Sequence, residues 1–141
     1  MSEFKTYSDF KLAQRESIDA LPIEFAFNDD QVHEMLKKFG LTLSETDKLR
    51  RIPGGGFCLA TDAKMIVDTM LSWSRKLTEI INSDDDFAVD ALRYELDNHE
   101  YGYTGEPDDA LLELGLPSDV NKLDDRMKAL FCRATELCYY G

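Results

Sequence analysis

The sequence predicts a mostly helical α+β fold, with five or six helices and one small two-stranded hairpin. Three observations carry that expectation. Ile66, Met70, Trp73, Leu77 and Ile80 recur at steps of three and four, which puts them on one face of a long helix. Residues suited to start and stop helices punctuate the chain: Asn28, Thr61, Ser83 and Pro107 precede apolar-periodic runs, and Gly40 and Gly115 follow them. Finally, the run Gly54-Gly55-Gly56 destabilises both helix and strand and therefore marks a turn.

The elements follow in order. Tyr7 to Ala20 reads as a helix with Phe10, Leu12 and Ala13 as apolar contacts, stopped by Pro22. Ile23 to Phe27 alternates well enough for a short strand. Asn28 and Gln31 match a capping box, and the helix they open carries Val32, Met35, Leu36 and Phe39 up to Gly40. Ser44 to Arg51 reads as a helical turn or loop, and Pro53 to Gly56 as a hairpin turn. Phe57 to Ala60 is a second strand, expected to pair with Ile23–Phe27.

Thr61, with Asp62 at its positive end, caps the long helix that runs to about Asn82. Ser83 is expected to cap the next helix, which bears Phe87, Ala91, Leu92 and Leu96 as far as Asn98. Gly102 and Gly105 mark a loop, and Pro107 starts a short helix ended by Gly115. Pro117 and Ser118 open the last helical region, where Leu123, Met127, Leu130, Phe131, Ala134 and Leu137 form the buried face. Without repeats or long linkers, residues 1–141 read as a single domain.

Composition narrows the classes of function. A chain of 141 residues buries about two thirds of its unfolded surface and needs no staple. Its three cysteines, Cys58, Cys132 and Cys138, are odd in number and form no CxxC pair, which predicts free thiols in a reducing cytosol. The polar stretch Met1–Phe10 predicts no signal peptide, and no apolar run approaches the ~18 residues of a membrane span. A net charge of −12 argues against direct binding to nucleic acid or to an anionic membrane.

That charge is concentrated. Between Asp84 and Glu113 stand eleven acids and one base, Arg93, a balance of −10 out of the total −12. Helix starts account for Asp84, Asp85, Asp86, Asp108 and Asp109, which gain from the helix dipole. The missing counter-charge is what they leave unexplained, since helical surfaces ordinarily mix both signs. A charge of −10 equals that on about 17 Å of duplex DNA, enough to occupy part of a nucleic-acid channel in another protein. The expected partner-binding residues are Asp84, Asp85, Asp86, Asp90, Glu95, Asp97, Glu100, Glu106, Asp108 and Asp109, with Tyr101 and Tyr103 as apolar anchors.

Other motifs are weaker. Neither His33 nor His99 lies in an HExxH pattern, no EF-hand loop occurs, and no metal or cofactor is expected. Arg50, Arg51, Gly54 and Gly55, together with His99, are the candidates for an anionic small ligand, but the P-loop sequence is absent. No catalytic constellation stands out, so an enzyme is the less favoured class.

Three stretches carry a resemblance: Pro22-Ile23-Glu24-Phe25-Ala26-Phe27, Gly54-Gly55-Gly56-Phe57 and Asn98-His99-Glu100-Tyr101-Gly102-Tyr103-Thr104. Together they resemble a family of small acidic proteins of Firmicutes and of their phages and mobile elements, over most of the chain. The resemblance implies a cytoplasmic origin in a bacterial host. By analogy of size, charge and origin it suggests an inhibitor of the anti-CRISPR type, acting by partial DNA mimicry on a basic nucleic-acid-binding protein such as a CRISPR effector nuclease. The alternatives are a nucleotide- or small-ligand-binding protein (a signal sponge or minor enzyme) and a scaffolding homodimer.

Overall fold

The computed structural model describes residues 3–52 and 54–140, and it is mostly helical with one small antiparallel sheet. The α-helices are α1 (Tyr7–Asp19), α2 (Asp29–Phe39), α3 (Ala63–Ser83), α4 (Asp85–Asn98), α5 (Tyr101–Thr104), α6 (Asp108–Glu113) and α7 (Asp125–Tyr140). The strands are β1 (Leu49–Arg51) and β2 (Phe57–Leu59), and short 3-10 turns cover Leu43–Lys48, Ala60–Asp62 and Val120–Lys122. Among the described residues no helix is long and apolar enough to cross a membrane. The chain forms two compact units, residues 14–72 and residues 1–13 with 73–141.

In the unit of residues 14–72, Asn28 caps α2 by accepting the Gln31 N–H at 2.8 Å. The Gln31 side chain returns to the N–H of Phe27, also at 2.8 Å, one residue earlier than the box expected. Met35 and Leu36 are the buried residues of α2, and Gly40 ends it in the left-handed region, at φ 72°. A capping box at Thr42 and Glu45 opens the 3-10 turn that follows.

The hairpin pairs differently from the expectation. β1 runs antiparallel to β2 in the register Leu49↔Leu59, Arg50↔Cys58 and Arg51↔Phe57. Ile23–Phe27 contributes a single bridge, Glu24↔Phe57, and Ser44–Arg51 is a 3-10 turn followed by β1. The reason is local. Gly54, Gly55 and Gly56 all have positive φ (87°, 96° and 89°), so the chain reverses within a few residues and its nearest segment becomes the partner. Pro53, the first residue of the expected turn, lies outside the described residues.

Ile52, Cys58 and Ile66 form the small core of this unit, backed by Leu21, Ile23, Ala63 and Met70. Gly56 is tightly seated: a Cβ there would come within 2.9 Å of Ile23 Cγ2 and 3.0 Å of Phe25 Cε1. Gly56→Ala should therefore lose about 2–4 kcal/mol, from a left-handed backbone and overpacking together. Gly54→Ala, with open space around it, should lose about 1–2 kcal/mol from the backbone alone. Urea unfolding of the two variants checks the difference.

In the other unit α4 is the central element, with α5, α6 and α7 packed against it. That explains why Phe87, Ala88, Val89, Ala91, Leu92, Leu96 and even Glu95 are buried along α4: neighbours cover more than one side of it. Tyr7 and Phe10 at the start of α1 join this core, whereas Leu12, expected as an apolar contact, is 55% exposed. From α7 come Met127, Leu130, Phe131 and Ala134. The cap of α4 is Asp84, which accepts the Phe87 N–H at 3.0 Å. Ser83, expected in that role, is the last residue of α3, and its hydroxyl turns back to the Glu79 carbonyl at 2.8 Å.

Candidate acidic interface

The acids of Asp84–Glu113 fall into three groups with different physical roles. The first lies at the start of α4. Asp84 is the cap, Asp85 is paired with Arg126 at 2.7 Å, and Asp86 faces Arg133 at 3.8 Å. Arg126 also donates to the Ile81 carbonyl at 2.8 Å, which ties α7 to the end of α3. These aspartates sit where the dipole favours them, and the protein's own arginines meet two of them.

The second group holds the fold together. Asp90 accepts the N–H of Tyr7 at 2.8 Å and so caps the start of α1 from α4. Glu95 is wholly buried, accepts the Tyr7 hydroxyl at 2.5 Å and is paired with Lys11 at 3.3 Å. A residue with no exposed surface touches no partner, so Glu95 leaves the set of contact residues. Burial, reinforced by the hydrogen bond to Glu95, pushes the Tyr7 phenol far above its ordinary value. Sequence reading missed this role because the groups are 88 positions apart and no local pattern joins them.

The third group lies at the far end of α4 and beyond. Asp97, Glu100, Glu106, Asp108, Asp109 and Glu113 are all exposed, and none forms an ion pair among the described residues. At 1.5 Å per residue, Asp97 stands about 18 Å along α4 from Asp85. The eleven acids therefore divide into a capped and paired group, a pair that joins α4 to α1, and an exposed group, rather than one uniform surface. Asp97 lies in the last turn of α4, which has no basic residue. Carbonyls make that end negative, so a carboxylate there is disfavoured rather than helped.

Glu100 follows in the left-handed region at φ 58°, the only such non-glycine residue among those described. That backbone turn launches α5, a single helical turn where a loop was expected. Tyr103 on α5 is 94% exposed. Tyr101, the other expected anchor, packs its ring edge-on against Phe131 at 6.2 Å and belongs largely to the core. His99 is half-buried, with Nε2 out of contact with any hydrogen-bonding group among the described residues.

The residues proposed for an anionic ligand are divided between the units: Arg50, Arg51, Gly54 and Gly55 in one, His99 in the other. The guanidinium of Arg50 donates to the carbonyls of Asp47 and Leu49 at 2.7 Å, and Arg51 lies over the Phe57 ring at 5.4 Å. Beside Arg50 is a cleft of about 440 Å³ lined by Phe39, Leu41, Leu59 and Thr61. Lys48 also borders it, but is held by Glu45 at 2.6 Å, and that contact keeps the Glu45 carboxyl down at about 2.

Two of the three thiols, Cys58 and Cys138, are unreactive in character. Burial raises the Cys58 thiol, and burial followed by a hydrogen bond to Asp97 pushes Cys138 up to about 11. Among the described residues no group of three or more His, Cys, Asp or Glu side chains is placed to hold a metal ion.

No curated protein and no solved structure matches this sequence. A family does, over residues 6–136, which is nearly the whole chain. The protein with this acidic, helix-rich architecture belongs to the family of unknown function DUF7659.

Proposed function

We propose that the protein is a stoichiometric binding protein whose acidic end, around Asp97, Glu100, Glu106 and Tyr103, docks in a basic groove of a nucleic-acid-binding protein. The observation that carries this reading is the position of Asp97 and Glu100. Asp97 stands exposed in the last turn of α4 and Glu100 just beyond it, neither forms an ion pair among the described residues, and Tyr103, three positions after Glu100, is 94% exposed. Such carboxylates are unfavourable in the free protein, and cations supplied by a partner relieve them.

The unit that carries them has eighteen acids and nine bases, a balance of −9, against −3 for residues 14–72. The proposed setting is the cytoplasm of a bacterial host, which suits three free cysteines. The proposed partner is a defence enzyme such as a CRISPR effector nuclease, blocked in the anti-CRISPR manner by partial DNA mimicry.

The test is competition with duplex DNA for such a nuclease, at low and high salt. Wild-type protein should displace DNA, with an affinity that falls steeply as salt rises. The triple variant Asp97→Lys, Glu100→Lys, Glu106→Lys should bind about 10–100-fold more weakly, at roughly 0.5–1 kcal/mol per reversal. These three positions are preferable to Asp84–Asp86, because Asp84 caps α4 and Asp85 is held by Arg126. Equal competition by the variant, with its helical circular dichroism intact, removes this mechanism.

A second reading, a small-ligand protein, rests on the 440 Å³ cleft beside Arg50. Thermal-shift measurements with nucleotides discriminate: a rise of several degrees favours the cleft over the acidic end.

A further inference from the structure

Phe25 and Phe27 are 56% and 84% exposed, yet they are held in fixed positions. Their rings stack at 6.5 Å with an angle of 14°, as expected for residues two apart on one face of an extended segment. Phe25 rests against Gly56, where any Cβ would collide with it. Glu24 exchanges both backbone hydrogen bonds with Phe57, at 2.9 and 2.8 Å, so the segment is the third, outermost strand-like layer beside β2.

Alternation then turns the N–H and C=O of Phe25 away from the sheet, and among the described residues they form no hydrogen bond. Its neighbours are already occupied: the Ile23 N–H bonds to Leu21 O at 2.8 Å, and the Phe27 N–H to Gln31. An open backbone pair on one exposed phenylalanine, with a second two positions on, is a template for another strand.

We propose that this edge pairs with the same edge of a second copy of the chain, antiparallel about a two-fold axis at Phe25. The inference is independent of the acidic end and concerns only residues 14–72. The pattern itself selects a copy of the chain as the occupant. In this register Phe25 meets Phe25 and the two exchange both free hydrogen bonds. Ile23 meets Phe27 of the second copy, so one face of the joint is apolar throughout.

On the other face Glu24 meets Ala26, so no two carboxylates oppose each other, and Glu24 already has Lys38 at 3.3 Å. Unlike a head-to-tail contact, this joint is self-complementary and closes at two copies. At about 200 Å² per ring, the two phenylalanines offer roughly 280 Å² per protomer. That is well below a standard interface, so the dimer is weak, on the order of 0.1–1 mM.

Sedimentation equilibrium of the full chain, from about 10 µM to 1 mM, reads the result. The average mass should climb from the monomer's 16.1 kDa toward that of a dimer and fit a monomer–dimer equilibrium with no larger species. Phe27→Asp, at a position 84% exposed, should stay folded and shift the dissociation constant at least about tenfold. The Phe25 amide should gain protection from hydrogen exchange only as the dimer forms. A monomer throughout, growth beyond two copies, a Phe27→Asp dimer as strong as wild type, or a dimer whose Phe25 amide exchanges freely would each overturn the proposal.

Discussion

Glu95→Ala should cost the unit built around α4 about 3–5 kcal/mol, the range for breaking a buried charged contact by deleting one partner. The carboxylate has no exposure, receives the Tyr7 hydroxyl at 2.5 Å and faces Lys11 at 3.3 Å. Its loss leaves the phenol buried without an acceptor and opens the junction between α1 and α4. Tyr7→Phe removes only one hydrogen bond to a charged group and should cost about 1.5–3 kcal/mol.

A pH signature separates the two variants from ordinary core damage. Burial, then Glu95, holds the Tyr7 phenol protonated in the fold at pH values where an unfolded tyrosine, with a pKa of about 10, ionises. Stability from this source is complete below about pH 10 and declines as pH rises further, because only the unfolded chain then releases the proton. Tyr7→Phe should lack that alkaline decline. Equilibrium unfolding between neutral and alkaline pH measures it. An effect of Glu95→Ala no larger than that of the exposed Glu106→Ala would show that the contact among Tyr7, Lys11 and Glu95 does not support the fold.

Phe87→Ala should be comparably damaging, at about 3–5 kcal/mol. Phe87 is 1% exposed, and its ring meets Tyr7 at 6.1 Å and Phe10 at 6.2 Å, both edge-on. Alanine leaves a cavity in the aromatic cluster and removes two favourable ring pairs. Leu112→Ala, at a residue 60% exposed on α6, should change stability by less than about 0.5 kcal/mol. The total stability of a domain is only about 5–15 kcal/mol, so the Phe87 variant should show a much lower unfolding midpoint. Thermal unfolding of the pair of variants provides the comparison.

The two variants differ in what a sequence reader could have foreseen. Phe87 was legible: it begins an apolar series with Ala91, Leu92 and Leu96 at helical spacing, and helical spacing is a property of the local chain. The stops at Gly40 and Gly115 and the turn at Gly54–Gly56 were legible for the same reason, since backbone sterics act within a few residues. Glu95 stands in the same helix, in a run of acids that looked uniform. Only contact with α1, far away in sequence, separates it from Asp97 two positions on.

Local rules likewise identified short strands but not their pairing. Ile23–Phe27 has the better strand composition, yet β1 is the partner of β2 because the glycine turn places it there.

The sequence by itself determined the helix-rich α+β class, most helix ends and the concentration of negative charge between Asp84 and Glu113, because periodicity, caps and composition need no distant partner. Tertiary structure alone decided which of those acids are capped, paired, buried or left facing solvent. A carboxylate's role depends on which groups lie within a few ångströms, and in a folded chain those groups are often far away in sequence: Arg126 for Asp85, Tyr7 for Glu95, and, among the described residues, no cation for Glu100.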